Sequence, residues 1–170
     1  MSVPSLPYSE PVRLHQVPGG VKRTLEPDAA ARARIAKALD LASLDSFTAE
    51  IDLARVDAGW RLSGRVRASL AQTCGITLEP LPLEVDASFS LTLAEAVDED
   101  SDEIVITLDD ESPDLIEDGQ IDLGQYAVEQ LALRLDPFPR KPGAEFVQPP
   151  EPAEISPFAV LKQLRPSDEG

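Results

Sequence analysis

The chain has few of the residues that enzyme active sites and metal centres require. Its 170 residues include one cysteine, one histidine and only 5% aromatic residues. A single cysteine excludes an intramolecular disulfide. His15 alone cannot form a catalytic triad or a zinc site, because each needs several partner side chains. A glycine-rich phosphate loop and a G-x-S-x-G motif are also missing. We therefore expect neither catalysis nor a cofactor.

Long apolar runs are missing as well. No stretch is long enough to form a transmembrane helix. The N-terminal sequence MSVPSLPYSEP lacks the basic start and the apolar stretch of a signal peptide. The hydrophobic content of 42% still suffices for one core, built mainly from Leu, Val, Ile and Ala. We expect a cytoplasmic protein of one domain with flexible ends and no membrane partner.

Basic residues are scarce, with 15 Lys and Arg against 31 Asp and Glu and a net charge of −16. This charge argues against a broad nucleic-acid-binding surface, because phosphate neutralisation needs clustered basic side chains, and we expect no DNA partner. The charge is uneven, at +2 over residues 1–73 and −18 over residues 74–170. A predicted acidic loop at about 95–118 contains no basic residue, which is typical of a solvated segment.

The central part of this loop, residues 98–111, is called the acidic segment below. Its eight carboxylates are Asp98, Glu99, Asp100, Asp102, Glu103, Asp109, Asp110 and Glu111. Asp98, Asp100, Asp102 and Asp109 match positions 1, 3, 5 and 12 of a calcium-binding loop. Glu103, however, occupies position 6, where the sharp turn requires glycine, and the bidentate Glu of position 12 is missing. The pattern therefore indicates a solvated loop. A metal-dependent hydrolase using Asp98, Asp100 and Asp102 is the alternative enzyme reading, which the lack of a nearby histidine disfavours.

The period of the hydrophobic pattern indicates the secondary structure. An Ala-rich run predicts a helix from Pro27, in the first turn, to Leu41. Its buried face comprises Ala31, Ile35, Ala38, Leu39 and Ala42. Alternating apolar and polar residues then predict strands at about 47–56, 60–72 and 81–93, and a short apolar run predicts another at 104–106.

A later helix is predicted to begin at Asp122 as N-cap, with Gln125 as its capping-box partner. Its buried stripe comprises Leu123, Ala127, Leu131 and Leu135. The elements predict an α+β fold, a mainly antiparallel sheet with an N-terminal helix and a helix after the sheet. The predicted organisation is a flexible or extended segment at 1–22, one domain at 23–136, and a Pro-rich tail at 137–170 that carries a short helix at 157–164.

The first two strands are predicted to form a hairpin. An odd sum of paired residue numbers is required to bury both apolar rows on one face. Those rows include Trp60, Leu62, Val66, Ile51 and Leu53. A two-residue loop at Ala58 and Gly59 would pair Asp52 with Arg65, and Glu50 with Arg67. A four-residue loop from Val56 is the alternative, which spares Ala58 a left-handed conformation.

The only basic patch of the predicted domain lies on this hairpin. Arg61, Arg65 and Arg67 line one strand face, with Arg55 near them. One interpretation is a contact with RNA. The other is cross-strand pairing with Glu50 and Asp52, and the lack of interleaved aromatic residues favours it, because bases then have no stacking platform.

Three short motifs resemble those of the YceD family. Thr73-Cys74, followed by a Leu-Glu-Pro turn, resembles that family's C-x-x-C-L-x-P pattern. Later stretches resemble its D-L and E-x-L-x-L helix, its Pro-containing exit and its C-terminal P-F-x-x-L-x-x-L. The matching positions are Cys74, Leu78, Pro80, Asp122, Leu123, Glu129, Leu131, Leu133 and Pro139, and the resemblance covers roughly residues 60–165. Thr77 replaces the second turn cysteine, so a zinc site built on that cysteine pair is excluded here, and we interpret Cys74 as a buried remnant.

The resemblance implies a role in the accumulation of large-subunit (23S) ribosomal RNA in the bacterial cytoplasm. It implies association with a ribosomal protein or with an assembly intermediate of the large subunit, and with rRNA directly or indirectly. Because the chain is strongly acidic, we expect the acidic segment to bind a basic ribosomal protein. Direct rRNA binding by Arg55, Arg61, Arg65 and Arg67 is the alternative.

The predicted C-terminal helix has an apolar side formed by Phe158, Leu161 and Leu164. At about two turns it is too short to be stable alone. These side chains are predicted to anchor the helix in a groove on a partner. The alternative is that the segment packs on its own domain or stays disordered.

Overall fold

Strands dominate the part of the chain that the computed structural model describes, which comprises residues 6–57, 59–95 and 113–149. In chain order the strands are β1 (Pro11–Arg13), β2 (Val21–Leu25), β3 (Leu41–Val56), β4 (Gly59–Thr73), β5 (Pro80–Glu95), β6 (Asp114–Ile116) and β7 (Gln120–Asp122). The helices are α1 (Ala29–Ala38) and α2 (Leu123–Ala132), and a 3-10 turn spans Leu14–Gln16. Neither helix in these described ranges is long and apolar enough to cross a membrane.

The main sheet has the strand order β2-β3-β4-β5-β6. Its neighbours are antiparallel except β5 and β6, which pair in parallel. β1 and β7 form a separate two-stranded sheet that joins the N-terminal segment to the start of α2. The predicted α+β class, with a mainly antiparallel sheet, a helix before its long strands and a helix after it, is confirmed. Residues 11–22, which the sequence placed in a flexible or extended segment, form β1, the 3-10 turn with buried Leu14, and the start of β2.

The β3–β4 hairpin has the predicted odd pairing sum, with Leu53 opposite Leu62 and Ala49 opposite Val66. These four side chains are fully buried on one face, together with Trp60. The face alternates with a polar one because successive strand residues point to opposite sides of the sheet. The prediction that both apolar rows share one buried face is therefore confirmed.

The register is that of the four-residue-loop alternative, with Arg55 opposite Trp60, and it continues to one further pair, Val56 with Gly59. The prediction of a two-residue loop at Ala58 and Gly59 was wrong. Gly59 belongs to β4, where its φ of +128° and its close approach to the Leu93 carbonyl leave no room for a side chain.

β3 begins at Leu41, earlier than the predicted start at about 47. The register shifts between Leu41 and Ser43 and again between Leu44 and Ser46. These irregularities change the parity of the strand, so that Leu44 lies in the core together with the odd-numbered residues that follow it. The strand therefore includes Leu41 and Ala42, which the helical three-and-four spacing had assigned to the preceding helix.

Helix α1 is shorter than predicted at both ends. Asp28, not Pro27, begins it as N-cap, with its carboxylate accepting a hydrogen bond from the Ala31 N–H at 2.7 Å. Asp40, with a φ of +53°, follows the helix and separates it from β3. Ala31 and Ile35 are buried as expected, but two predicted core residues are exposed: Ala38, the last residue of the helix, and Ala42, which belongs to β3.

Helix α2 begins at Asp122, as predicted, and the Asp122 carboxylate accepts a hydrogen bond from the Gln125 N–H at 3.0 Å. The prediction that the Gln125 side chain completes the capping box was wrong, because this side chain donates a hydrogen bond to Glu129 instead. The predicted stripe lies in the core, with three residues fully buried and Leu135 packed against them after the helix end.

The predicted β5 alternation is present, but only Val85 and Leu93 of its apolar row are buried. β6 pairs with β5 only near its end, through Leu93–Glu95. Among the described residues the rest of this edge has no neighbouring strand, so its apolar side chains are half-buried. The predicted strand at 104–106 lies outside the described residues.

Candidate functional site

The outer face of the main sheet carries three of the four arginines proposed for RNA binding. Arg61, Arg65 and Arg67 lie on β4 with their side chains on the side opposite the core. Arg65 binds Asp86 of β5 with two hydrogen bonds, the longer measuring 2.7 Å between Nη2 and Oδ2. This hydrogen bonding holds the pKa of the Asp86 carboxyl below its ordinary value.

The same face contains further ion pairs. Arg67 contacts Glu50 at 3.3 Å and Asp86 at 3.9 Å, and Lys22 contacts Asp52 at 2.9 Å. The expected ion pair between Glu50 and Arg67 is present as a diagonal contact. The prediction that Asp52 pairs with Arg65 was wrong, because the register places Glu50 opposite Arg65. The outer face is therefore a mixed-charge surface on which most of the basic groups are neutralised.

Arg55 does not belong to this surface. It lies on β3 opposite Trp60, and its guanidinium carbon is 5.6 Å from the centroid of the Trp60 ring. That distance is typical of a cation–π contact. The structure therefore brings Arg61, Arg65 and Arg67 together but places Arg55 on the core side of the sheet, so the four arginines do not form one patch.

The predicted bounds of the acidic loop, about 95–118, were too wide, because β6 lies within them and its Ile116 is buried. The described residues on either side of the loop meet at one end of the sheet. β5 ends at Glu95, which accepts a hydrogen bond from the Trp60 indole N–H at 3.0 Å. Glu95 lies opposite Ile116 of β6, where the chain returns. Nearby, burial and the negative charge of Asp114 raise the pKa of Tyr126 to about 12. The eight carboxylates of the acidic segment, including the positions tested for calcium, lie outside the described residues.

The turn between β4 and β5 binds the chain segment that follows α2. The Gln72 amide exchanges two hydrogen bonds with the Asp136 backbone, at 2.9 and 3.3 Å. The Gly75 N–H donates to the Pro139 carbonyl at 2.9 Å. We call this connection between residues 72–79 and residues 136–141 the clasp.

Cys74 lies at the centre of the clasp and is fully buried. Its Sγ accepts hydrogen bonds from the Thr77 N–H at 3.4 Å and from the Lys141 N–H at 3.3 Å. Hydrogen bonding from the Thr77 side chain, followed by that from the Thr77 and Lys141 backbone, stabilises the thiolate and lowers the pKa of Cys74 to about 6. Lys141 Nζ also contacts Glu79 at 2.9 Å.

The clasp residues Gln72, Glu79, Asp136 and Lys141 were missed by the sequence analysis. Gln72 and Asp136 are separated by 64 residues, and Cys74 and Lys141 by 67. No local spacing signals such a contact. The only available hint was that the Cys turn and the Pro-containing exit occur together in the family pattern.

The family-motif positions divide into two groups. Most have a structural role: Leu123 and Leu131 lie in the core, Asp122 caps α2, Glu129 accepts from Gln125, Pro80 begins β5 and the Pro139 carbonyl binds the clasp. Leu78 and Leu133, by contrast, are 74% and 73% exposed. Leu78 also has a φ of +61°, which fits the tight turn. Packing of the described residues does not explain why these two positions are apolar.

A cavity of about 600 Å³ opens beside the clasp, which we call the clasp groove. Leu39 at the end of α1, Ile76 of the clasp, and Leu135 and Phe138 after α2 contribute apolar walls. Phe138 is 76% exposed. The predicted anchor residues Phe158, Leu161 and Leu164 lie outside the described residues, as does the whole predicted helix at 157–164.

His15 is exposed on the 3-10 turn. Within the described ranges, no three side chains of His, Cys, Asp or Glu are grouped closely enough to hold a metal ion. What the described site offers is thus hydrogen-bonded, charged and apolar surface for binding.

The comparisons with known proteins give one match. A family model described as "Large ribosomal RNA subunit accumulation protein YceD" matches residues 62–165, which is more than half of the chain. The match runs from β4 through α2 and on past the clasp, in agreement with the extent of the resemblance. No curated protein matches the chain, and no solved structure does.

Proposed function

Because the chain belongs to the YceD family of large ribosomal RNA subunit accumulation proteins, we propose that it acts without catalysis in large-subunit assembly, by binding a basic ribosomal protein. The observation that carries the proposal is the concentration of charge. The acidic segment contains eight carboxylates and no basic residue, half of the net charge of −16. A ribosomal protein waiting for rRNA needs an acidic host, and complementary charge speeds encounter and suppresses aggregation.

The described surface supports a protein partner over a nucleic acid. Arg65 and Arg67 are engaged by Asp86 and Glu50 on the outer face, so phosphate binding there would have to displace existing ion pairs. Arg61 makes no ion pair with a described residue, but one exposed cation gives little affinity for a polyanion. The proposed role places the protein in the cytoplasm, where the large subunit is assembled.

The test compares two variants with the same change of net charge. Variant one neutralises four carboxylates of the acidic segment, as Asp98→Asn, Glu99→Gln, Asp100→Asn and Asp102→Asn. The control neutralises four exposed carboxylates outside the acidic loop: Glu26→Gln, Asp45→Asn, Glu84→Gln and Glu145→Gln. Affinity for purified basic large-subunit proteins and for 23S rRNA fragments is measured at two salt concentrations.

We expect variant one to bind its protein partner about tenfold more weakly, since four exposed ion pairs together contribute about 1–2 kcal/mol. The control should change affinity less, and higher salt should reduce the difference between the two. RNA affinity should stay equal or improve in variant one. Equal protein affinity in both variants would contradict the role of the acidic segment.

Direct rRNA binding is the second candidate function, carried by the clustering of Arg61, Arg65 and Arg67 on one face. It predicts tight binding of rRNA fragments that is lost when these three residues are replaced by alanine. An Arg55→Ala variant serves as the control, because Arg55 lies on the other side of the sheet. Tight rRNA binding that needs the three arginines, with no protein partner, would refute the first proposal.

A further inference from the structure

The clasp groove is an apolar surface at the place where the chain leaves the domain. Three parts of the fold meet there: the end of α1, the turn between β4 and β5, and the residues that follow α2. Its volume of about 600 Å³ falls within the range of pockets that enclose ligands or side chains. Phe138 at its edge is largely exposed, so a large aromatic ring has little cover among the described residues. Such a surface fits an apolar occupant.

The charges around the groove restrict what can bind there. Asp40 and Asp136 contribute carboxylates to its lining, and Arg140 contributes one cation. The lining is therefore acidic on balance, and an occupant with apolar and basic side chains is favoured over an acidic one.

The chain itself contains a segment with these properties. Phe158, Leu161 and Leu164 recur every three residues, which is the spacing of one side of a short helix. Lys162 and Arg165 are the only basic residues beyond residue 149. The same segment thus combines an apolar stripe with the charge that the groove favours.

The position of the clasp places this segment within reach. Lys141 is held by Cys74 and Glu79, close to residues that line the groove. Phe158 follows Lys141 by 17 residues, which can span at most about 55 Å, more than a return to the groove requires. A short tether also raises the local concentration of the segment, so that modest contacts suffice. The family match extends to residue 165 and thus includes the segment together with β4, β5 and α2.

We propose that residues 157–165 of this chain occupy the clasp groove, with Phe158, Leu161 and Leu164 against its apolar walls. Lys162 and Arg165 then lie near the carboxylates of Asp40 and Asp136. This is the own-domain alternative for the C-terminal helix, and it does not depend on which partner the acidic segment binds.

The test attaches a spin label to the full-length chain through Ser167→Cys and records its effect on backbone amide signals. Cys74 is fully buried, so the introduced thiol is the accessible one, and the unsubstituted chain treated with the same reagent controls for labelling of Cys74. We expect the amide signals of Ile76 and Phe138 to lose most of their intensity. Ser63 should keep its signal, because it lies ten residues along β4 from Thr73, about 33 Å away.

Two further variants, each carrying the label, test the apolar stripe. Leu161→Asp should restore the signals of Ile76 and Phe138. Gln163→Asp adds the same charge on the opposite side of the helical spacing and should leave the loss in place. Restoration by both variants, or by neither, would contradict the predicted mode of docking.

A mixed sample identifies the source of the occupant. Isotope-labelled chain without the spin label is combined with spin-labelled chain at natural isotope abundance. The comparison sample is one chain that carries both the isotope label and the spin label. Signal loss that persists on dilution of this doubly labelled chain, with no loss in the mixture, supports the chain's own segment as the occupant. Loss in the mixture would identify a second copy as the occupant and overturn the proposal. Absence of signal loss in both samples would also overturn the proposal and leave the groove to a different partner.

Discussion

Asp122 joins the N-terminal segment to helix α2, and its replacement tests this connection. Its Oδ1 accepts hydrogen bonds from the Gln125 N–H at 3.0 Å and from the Glu10 N–H at 2.8 Å. The Ser9 hydroxyl donates to Oδ2. Gly124 allows this approach, because a Cβ there would lie 2.9 Å from the Glu10 nitrogen. Asp122→Ala removes all three hydrogen bonds and leaves two backbone N–H groups without their acceptor.

The expected loss follows from these contacts. An N-cap contributes about 1 kcal/mol, and a second backbone hydrogen bond about another 1 kcal/mol. The free energy of unfolding should therefore fall by about 2 kcal/mol in Asp122→Ala. Asp28→Ala is the matched comparison, because Asp28 caps α1 through the single hydrogen bond from Ala31, and we expect a loss of about 1 kcal/mol.

Urea unfolding monitored by tryptophan fluorescence measures both values. Trp60 is the only tryptophan and is 1% exposed, so its emission reports loss of the core. Asp122→Asn keeps an oxygen acceptor and should recover most of the stability. An Asp122→Ala loss no larger than that of Asp28→Ala would refute the argument that this carboxylate holds the N-terminal segment.

Three further outcomes are expected. Gly64→Ala should lower the free energy of unfolding in urea by about 1–3 kcal/mol, because the added Cβ would collide with the Glu50 carbonyl and lie 3.0 Å from the Phe89 ring. Gly19→Ala is the control and should change the stability little, because Gly19 faces open space. Gln72→Leu should lower the free energy of unfolding by about 1–2 kcal/mol and speed hydrogen exchange at the Asp136 amide. An unchanged exchange rate at that amide would contradict the role of the Gln72 side chain in the clasp. The stability difference between the unsubstituted chain and Cys74→Ala should grow as pH rises from about 6 towards 9.0. In that range the folded state holds the thiolate while the unfolded state still binds its proton, and a difference that is flat or falls with pH would contradict the lowered pKa of Cys74.

Much of the fold could be predicted because its signals are local. Alternation every second residue predicts half-buried strands. This pattern located three of the four ends of β4 and β5 to within one residue. Asp122 was identifiable as an N-cap because a side chain that satisfies the first N–H groups must stand directly before the helix. The bulges of β3 were not predictable, since an extra residue in a strand leaves no mark in the hydrophobic pattern before its partner is known.

The candidate site depended far more on tertiary structure. Four arginines close in sequence suggested one patch, but the register of the β3–β4 hairpin places Arg55 over Trp60 and the other three on the opposite face. The alternation along β3 already favoured this separation, because Arg55 continues the apolar row of Ile51 and Leu53. The carboxylates that Arg65 and Arg67 contact were decided only by the pairing of β4 with its two neighbours.

The sequence by itself determined the charge of this protein, its α+β class, and the family to which its motifs belong. The contact between Cys74 and Lys141 and the groove beside it came only from the tertiary structure. The physical reason is one of range: caps and periodicity act over a few residues, whereas a thiol meets an N–H donor 67 residues away only when packing of the whole core brings the two segments together.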